Sequence, residues 1–248
     1  MRGSHAEGPA RLKPGEHKIE FPDCPVSFRL TIPAMLPPPV LLVGLWVDRD
    51  PEGDVPPRFR HLPELFTDEG FALATIHRND LDPAPWIATP PAGIVLSGSR
   101  ANLGEDCTVA DFPEVTRLLH ELPAVPVLGI CFGHQFLAAH NGGRLGYTSA
   151  FREDSDWPIT PSARLDLVAG LPLPCPLAEN HGMRVEDPGP GYDVIATSSD
   201  GIEAIAHRDL PRIGVQFHPE YYPRQRVQHG ERFLRNWLGV EVRSRIAR

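Results

Sequence analysis

Short apolar runs separated by polar, turn-rich stretches recur along the first two thirds of this chain. Val40–Val47, Phe71–Ile76, Gly93–Leu96 and Val125–Leu128 each read as a buried strand. Between them, Arg58–Phe66 and Asp111–Leu122 have helical spacing. Asp111 is the expected N-cap of the second, with Pro113 early in its first turn. A further helical segment after the Val125 strand ends at His140 and is closed by Asn141-Gly142-Gly143. Strands alternating with helices predict an α/β fold with a doubly wound, mainly parallel sheet. Function then belongs at the carboxyl ends of the strands.

After Gly146 the pattern changes. Leu165–Val168, Tyr192–Ala196 and Ile202–His207 read as short strands of a small antiparallel addition leading into Ile213–Phe217. Glu231–Leu238 is a closing helix with Phe233, Leu234 and Trp237 on one face. The basic tail, Val240–Arg248, reads as a solvated end rather than a docking element. At the other end, residues 1–38 form an extension to the main domain, residues 39–248. Lys18–Phe21 and Val26–Ile32 alternate polar and apolar residues, as a β-hairpin arm would, with Phe21–Pro25 as its turn. Pro37-Pro38-Pro39 is a stiff joint. The arm either packs on the domain or docks a partner.

Composition narrows the partners. The chain has 248 residues, 41% hydrophobic, enough for one large domain or a domain plus an extension. Its net charge of −8, without a Lys/Arg-rich block, argues against nucleic acid or an anionic membrane as the main partner. No apolar run approaches the roughly 20 residues of a membrane span. No secretory signal opens the chain. Cys24, Cys107, Cys131 and Cys175 show no CxxC pairing, which suggests reduced thiols in a cytoplasm. His134, His140, His181 and His207 lack metal-ligand spacing and read as structural or surface residues. No phosphate-binding Gly-rich loop is present. Met1–His5 is tag-like, but one His does not decide whether it is native.

Two stretches carry chemistry. In Gly129-Ile130-Cys131-Phe132-Gly133-His134-Gln135, glycines flank a Cys between a strand and a helix. That arrangement lifts a nucleophile onto a sharp elbow at a helix N-terminus, where unpaired N–H groups favour thiolate. In Gly214-Val215-Gln216-Phe217-His218-Pro219-Glu220, a strand ends in a His and a carboxylate. On an extended segment, residues two apart point the same way, so Glu220 orients His218 and His218 deprotonates Cys131.

In order and spacing, these two stretches resemble the signatures of class I, triad-type glutamine amidotransferases. The likeness is to the glutaminase domains of GMP synthase and to the small subunit of carbamoyl phosphate synthetase, and it covers roughly residues 39–238. The resemblance implies the flavodoxin-like fold of that family. It also implies hydrolysis of the L-glutamine side-chain amide through a cysteinyl thioester, with Cys131, His218 and Glu220 catalytic. Phe132 N–H would be one oxyanion donor. The second would come from the loop after the third strand. There the family usually carries Gly-Gly-Pro or Asn-Gly-Pro, and this chain has Gly98-Ser99-Arg100, which leaves Ser99 N–H as the donor. Asn180-His181-Gly182-Met183 resembles the Asn-His-Gly-Phe segment of the carbamoyl phosphate synthetase small subunit. By that likeness Gln135, Asn180, Gly182 and Met183, with Gly98 in the preceding loop, hold glutamine. No metal or organic cofactor is implied. No synthetase region follows the closing helix, so the ammonia acceptor is expected on a separate synthetase subunit. Two other readings stay open: a γ-glutamyl hydrolase or transferase using the same triad, and a non-catalytic binding or regulatory subunit of the same fold.

Overall fold

Every residue of Val40–Gly44, Gly93–Leu96, Val127–Ile130 and Arg212–Val215 is buried, as strands covered on both faces must be. A computed structural model describes residues 16–19, 28–31, 37–46, 56–224 and 229–246. It divides into two compact units, Met1–Leu36 and Pro37–Arg248. In the first, β1 (Glu16–Ile19) pairs antiparallel with β2 (Phe28–Thr31), Glu16 opposite Thr31. The expected Phe21–Pro25 turn, Cys24 and Met1–His5 lie outside the described residues.

The second unit is built on one sheet. In chain order its parallel part contains β3 (Val40–Gly44), α1 (Leu62–Asp68), β4 (Leu73–His77), α2 (Pro83–Ala88) and β5 (Gly93–Leu96). It continues with α3 (Pro113–Glu121), β6 (Val127–Ile130) and α4 (Phe132–His140). Then come β7 (Arg144–Pro161), β8 (Cys175–Asp187), β9 (Tyr192–Ser198), β10 (Gly201–His207), β11 (Arg212–Val215) and α5 (His229–Trp237). The sheet order is β4-β3-β5-β6-β11-β10-β8-β7-β9, and the first five strands run parallel. That parallel part has the second-first-third-fourth-fifth order of flavodoxin-like folds. One face of the sheet packs on Leu65, Phe66, Phe233, Leu234 and Trp237 of α1 and α5. The other packs on Val115, Leu118, Leu119, Phe136 and Leu137 of α3 and α4. Each such side chain contributes about 1.5–3 kcal/mol on burial.

Four sequence expectations change. The antiparallel addition is not small: β7 and β8 span 18 and 13 residues and pair along their length. β7 shows little hydrophobic alternation, because most of its side chains face solvent. Leu165–Val168 is a 3-10 turn rather than a strand, entered through Arg164 at φ 49°. Asp111 does not cap α3; it ends a separate 3-10 turn, Val109–Asp111, and its carboxylate accepts from Thr108 N–H at 2.7 Å. The tail is not a solvated end throughout. Leu238–Arg243 continues as π-helical turns, Val242 is buried in the core, and Glu241 pairs with Arg164 at 2.5 Å.

The elbow between β6 and α4 is where packing meets the site. A Cβ on Gly129 would lie 2.5 Å from the Gly133 carbonyl oxygen, and one on Gly133 would run into the Leu96 carbonyl. The bend therefore closes only with bare Cα atoms, as the sequence reading requires. We expect Gly129→Ala and Gly133→Ala each to lower unfolding free energy by about 1–3 kcal/mol. Gly239→Ala, whose added methyl comes within 4 Å of no described atom beyond its chain neighbours and its own helix backbone, should leave the urea midpoint unchanged or raise it. Equal midpoints for all three variants would refute the steric account.

Candidate active site

Cys131 sits between β6 and α4 at φ 50°, ψ −100°, outside the regions a non-glycine residue prefers. Such a backbone costs roughly 1–3 kcal/mol and persists only where its surroundings hold it. Here the Cys131 N–H donates to the Val215 carbonyl of neighbouring β11 at 2.8 Å, and the Cys131 carbonyl accepts from Gln135 N–H at 3.0 Å. The buried sulfur lies 3.9 Å from the Asn180 carbonyl oxygen and accepts from the Gln216 side-chain amide at 3.5 Å.

His218 follows β11 and is fixed by its own N–H, which donates to the Ala178 carbonyl at 2.8 Å. Its Nδ1 meets Glu220 Oε1 at 2.7 Å, and its Nε2 is 3.3 Å from the Asn180 carbonyl. The Cys131 sulfur and His218 Nε2 converge on that one carbonyl oxygen, at 3.9 and 3.3 Å. Tyr221 stacks on that ring, 4.7 Å between centroids at 13°. Glu220 reaches back to His218 from the start of a 3-10 turn, Pro219–Arg224, and not from extended strand. The expected pairing stands, but the alternation argument for it does not.

Charge is concentrated here. Burial opposes the His218 cation, yet Glu220 and then Cys131 hold its pKa well above the ordinary 6.5. Burial opposes the Glu220 anion too, but His218 and the Arg58 guanidinium, 3.6 Å away, hold it below the ordinary 4.5.

Cys131 and His218 open onto a cleft of about 390 Å³. Ser99, Gln135, Asn180, Gly182 and Met183, all singled out from the sequence, line it together with His181. Gly98 stands behind it: an added Cβ would fall 3.0 Å from His218 Cε1 and 3.5 Å from Cys131 Cβ. Phe132 is the first residue of α4, so its N–H has no acceptor within the helix. Ser97 supports the Gly98-Ser99 loop, its hydroxyl accepting from Leu45 N–H at 2.8 Å and donating to the Gly98 carbonyl at 3.0 Å. Gln135 is less available than expected. Its amide NH2 donates to the Met183 carbonyl at 3.1 Å and to Gln216 Oε1 at 3.2 Å, so that end props β8 rather than facing the cleft.

Three residues escaped the sequence reading. Gln216 touches the sulfur, Tyr221 stacks on His218 and its hydroxyl accepts from Asn180 Nδ2 at 3.4 Å, and Arg58 links Glu220 to the Gly98 carbonyl. Gln216 and Tyr221 flank His218 in the motif and were findable. Arg58 is far away in sequence and offered no signal. A further buried group adjoins the cleft through His181. Burial raises Glu179 to about 8, and burial together with Glu179 raises Glu203 to about 9, beside His181.

A family model for class I glutamine amidotransferases matches residues 70–238. The chain belongs to the class I glutamine amidotransferase family. Aminodeoxychorismate synthase of Streptomyces griseus is 36% identical over 177 residues, 67% of this chain but only 22% of that protein. A subunit of the glutamine-hydrolyzing GMP synthase of Pyrococcus abyssi is 34% identical over 157 residues, 60% of this chain and 76% of that one. Among solved structures, a Thermoplasma acidophilum protein superposes with a TM-score of 0.67 at 22% identity, covering 85% of this chain and 97% of its own. A glutamine amidotransferase from Thermotoga maritima gives 0.59 at 17% identity, covering 81% of each chain. At these identities the structures support the fold. The cleft of this amidotransferase lies at the carboxyl ends of β5, β6 and β11, where open α/β sheets place ligands.

For this amidotransferase the His218–Glu220 pair sets a pH window. A raised His218 pKa contributes full stability below 6.5 and loses it as pH rises through the folded value. A lowered Glu220 pKa contributes full stability above 4.5 and loses it as pH falls through the folded value. The stability gap between wild type and Glu220→Gln, from denaturant unfolding, should therefore be widest between about pH 4.5 and 6.5. It should narrow on both sides. A gap independent of pH would show that the pair is not ionised.

Proposed function

We propose that this amidotransferase hydrolyses the side-chain amide of L-glutamine and passes the ammonia to an acceptor on a separate synthetase. The observation that carries the reading is the convergence of a strained, buried Cys131 with the 2.7 Å His218–Glu220 pair at one end of an open cleft. The order of events follows from the groups present. The Cys131 thiolate attacks the amide carbon, and the carbonyl oxygen becomes an oxyanion. Phe132 and Ser99 N–H groups receive that charge, each worth roughly 2.7–4 kcal/mol if placed as in other acyl-transfer enzymes. The His218 imidazolium gives its proton to the amide nitrogen, the C–N bond breaks, and ammonia leaves behind a glutamyl thioester. His218, now neutral, takes a proton from water, which attacks the thioester. The C–S bond breaks to give glutamate and the thiolate, and the imidazolium is restored. Glu220 stabilises the imidazolium and keeps Nδ1 engaged, so Nε2 does the proton work.

The cleft suits a zwitterionic amino acid. Arg100 and Glu153 both line it and are both exposed, one cation and one anion for an α-carboxylate and an α-ammonium. Asn180 and Gly182 supply polar groups between them. Relatives named as a GMP synthase subunit and as aminodeoxychorismate synthase support a synthetase partner of one of these two kinds. The same likeness supports a cytoplasmic setting. Among the described residues no helix is long and apolar enough to cross a membrane.

The test is ammonia release from glutamine by the full chain, alone and with each candidate synthetase. Cys131→Ala should lower it by at least ~10³-fold, the loss typical when a nucleophile is removed. Turnover of γ-glutamyl conjugates faster than glutamine would replace this reading with the γ-glutamyl hydrolase. No turnover of either, with or without the synthetases, would leave the non-catalytic subunit.

A further inference from the structure

The inward phase of β8 carries Cys175, Leu177, Glu179, His181, Met183 and Val185. Glu179 and His181 sit two residues apart on that face, where Glu203 of β10 joins them. All three are buried. One ligand atom from each lies within 4.8 Å of the other two. Glu179 Oε2 is 3.0 Å from His181 Nε2.

The donor count is unusual. His181 Nδ1 lies 2.9 Å from the Met183 carbonyl, which only accepts, so Nδ1 carries the proton and Nε2 presents its lone pair inward. Both Glu179 oxygens, Glu203 Oε2 and that Nε2 meet no N–H or O–H donor from the described residues. The other Glu203 oxygen accepts from the Ser198 hydroxyl at 2.5 Å. Four lone-pair atoms thus converge in a buried cluster, and an imidazole locked by a backbone carbonyl is the usual arrangement of a metal-bound histidine. A single shared proton would serve one pair of these atoms; a divalent cation would serve all of them. Bonds of ~2.1 Å hold ligand atoms roughly 3–4 Å apart, so turning one carboxylate closes the site.

We infer that Glu179, His181 and Glu203 form a buried structural site for one divalent first-row cation, with Zn²⁺ the best match to one imidazole and two carboxylates. The cation would pin β8 to β10, whose backbone register among the described residues is confined to Ile202 opposite Val185. Asn180, His181 and Gly182 of the same strand all line the cleft, so the site adjoins the cleft through its imidazole.

The experiment uses the full chain in a Cys131→Ala background, which removes the reactive thiol as a competing zinc ligand. Elemental analysis after extensive dialysis should find about one equivalent of cation per chain. Chain refolded from guanidinium with EDTA should melt higher by roughly 5 °C or more when ZnCl2 replaces the chelator. Glu179→Gln/Glu203→Gln, which keeps shape and hydrogen-bonding capacity, should lose both the bound cation and the shift. No retained cation together with no shift in the Cys131→Ala parent overturns the site. So does an equal shift in the double variant, or a double variant more stable than its parent, as a proton-sharing carboxyl pair predicts. Should the double variant not fold, the parent's stoichiometry and refolding response still decide. None of these readouts depends on glutamine turnover, so failure here and failure of the glutaminase reading are separable.

Discussion

The parallel pairing of β6 with β11 is the constraint on which the active site depends. Ile130 stands opposite Val215 and Gly129 opposite Gly214, and the ladder's next bond runs from Cys131 N–H to the Val215 carbonyl. Both strands end at one edge of the sheet. From there β6 turns into the elbow and α4, and β11 runs on through Gln216 and His218 to Glu220. A slip of one residue would turn every side chain of β11 to the opposite face, so register decides whether sulfur and imidazole meet. All eight paired residues are buried, and the burial of their side chains, not the catalytic contacts, sets that register. The weak contacts of a thiol could not hold such a geometry alone.

Electrostatics then ties the site to itself. Glu220 and His218 are buried charges that are tolerable only as a pair, with Arg58 approaching the same carboxylate oxygen as His218. Breaking a buried pair leaves an uncompensated charge, at about 3–5 kcal/mol. Removal of either partner therefore perturbs folding as well as the site. The strain at Cys131 belongs to this arrangement. It is held by bonds to Val215 and Gln135 and by the close approach of Gly129, Gly133 and Leu96.

The parallel half of the sheet was legible because its strands are uniformly apolar and its helices amphipathic; β5 was bounded to the residue. The elbow was legible because Gly-x-Cys-x-Gly states a local geometry. The His218–Glu220 contact was expected for the wrong local reason, since Glu220 reaches back from a 3-10 turn. The cleft gathers only part of the residues expected from the family likeness. Three things were hidden. β7 and β8 were missed because charged and proline residues fill positions that alternation would reserve for apolar ones. Leu165–Val168 mimics a strand in composition, yet Arg164 in the left-handed region starts a tight turn there. Arg58 and Glu203 matter only through contacts that cross the fold, and no local pattern records those.

β8 shows how one strand can serve two environments. Asn180 and Gly182 line the cleft, Glu179 is turned wholly into the protein, and His181 and Met183 are buried yet reach the cleft wall. At the cleft wall, Phe151 lies only 3.3 Å from where a methyl on Gly182 would sit. The inward residues would ordinarily be aliphatic, as Leu177 and Val185 are. Substituting Glu179 and His181 there sacrifices hydrophobic burial on the strand that carries the Asn180 carbonyl, the one acceptor near both sulfur and Nε2 among the described residues. Such a substitution is sustained only if the polar atoms are satisfied together, because a half-satisfied network is worse than an apolar core. The position of Asn180, and with it the spacing of the thiol and the imidazole, thus depends on how the lone pairs behind it are filled.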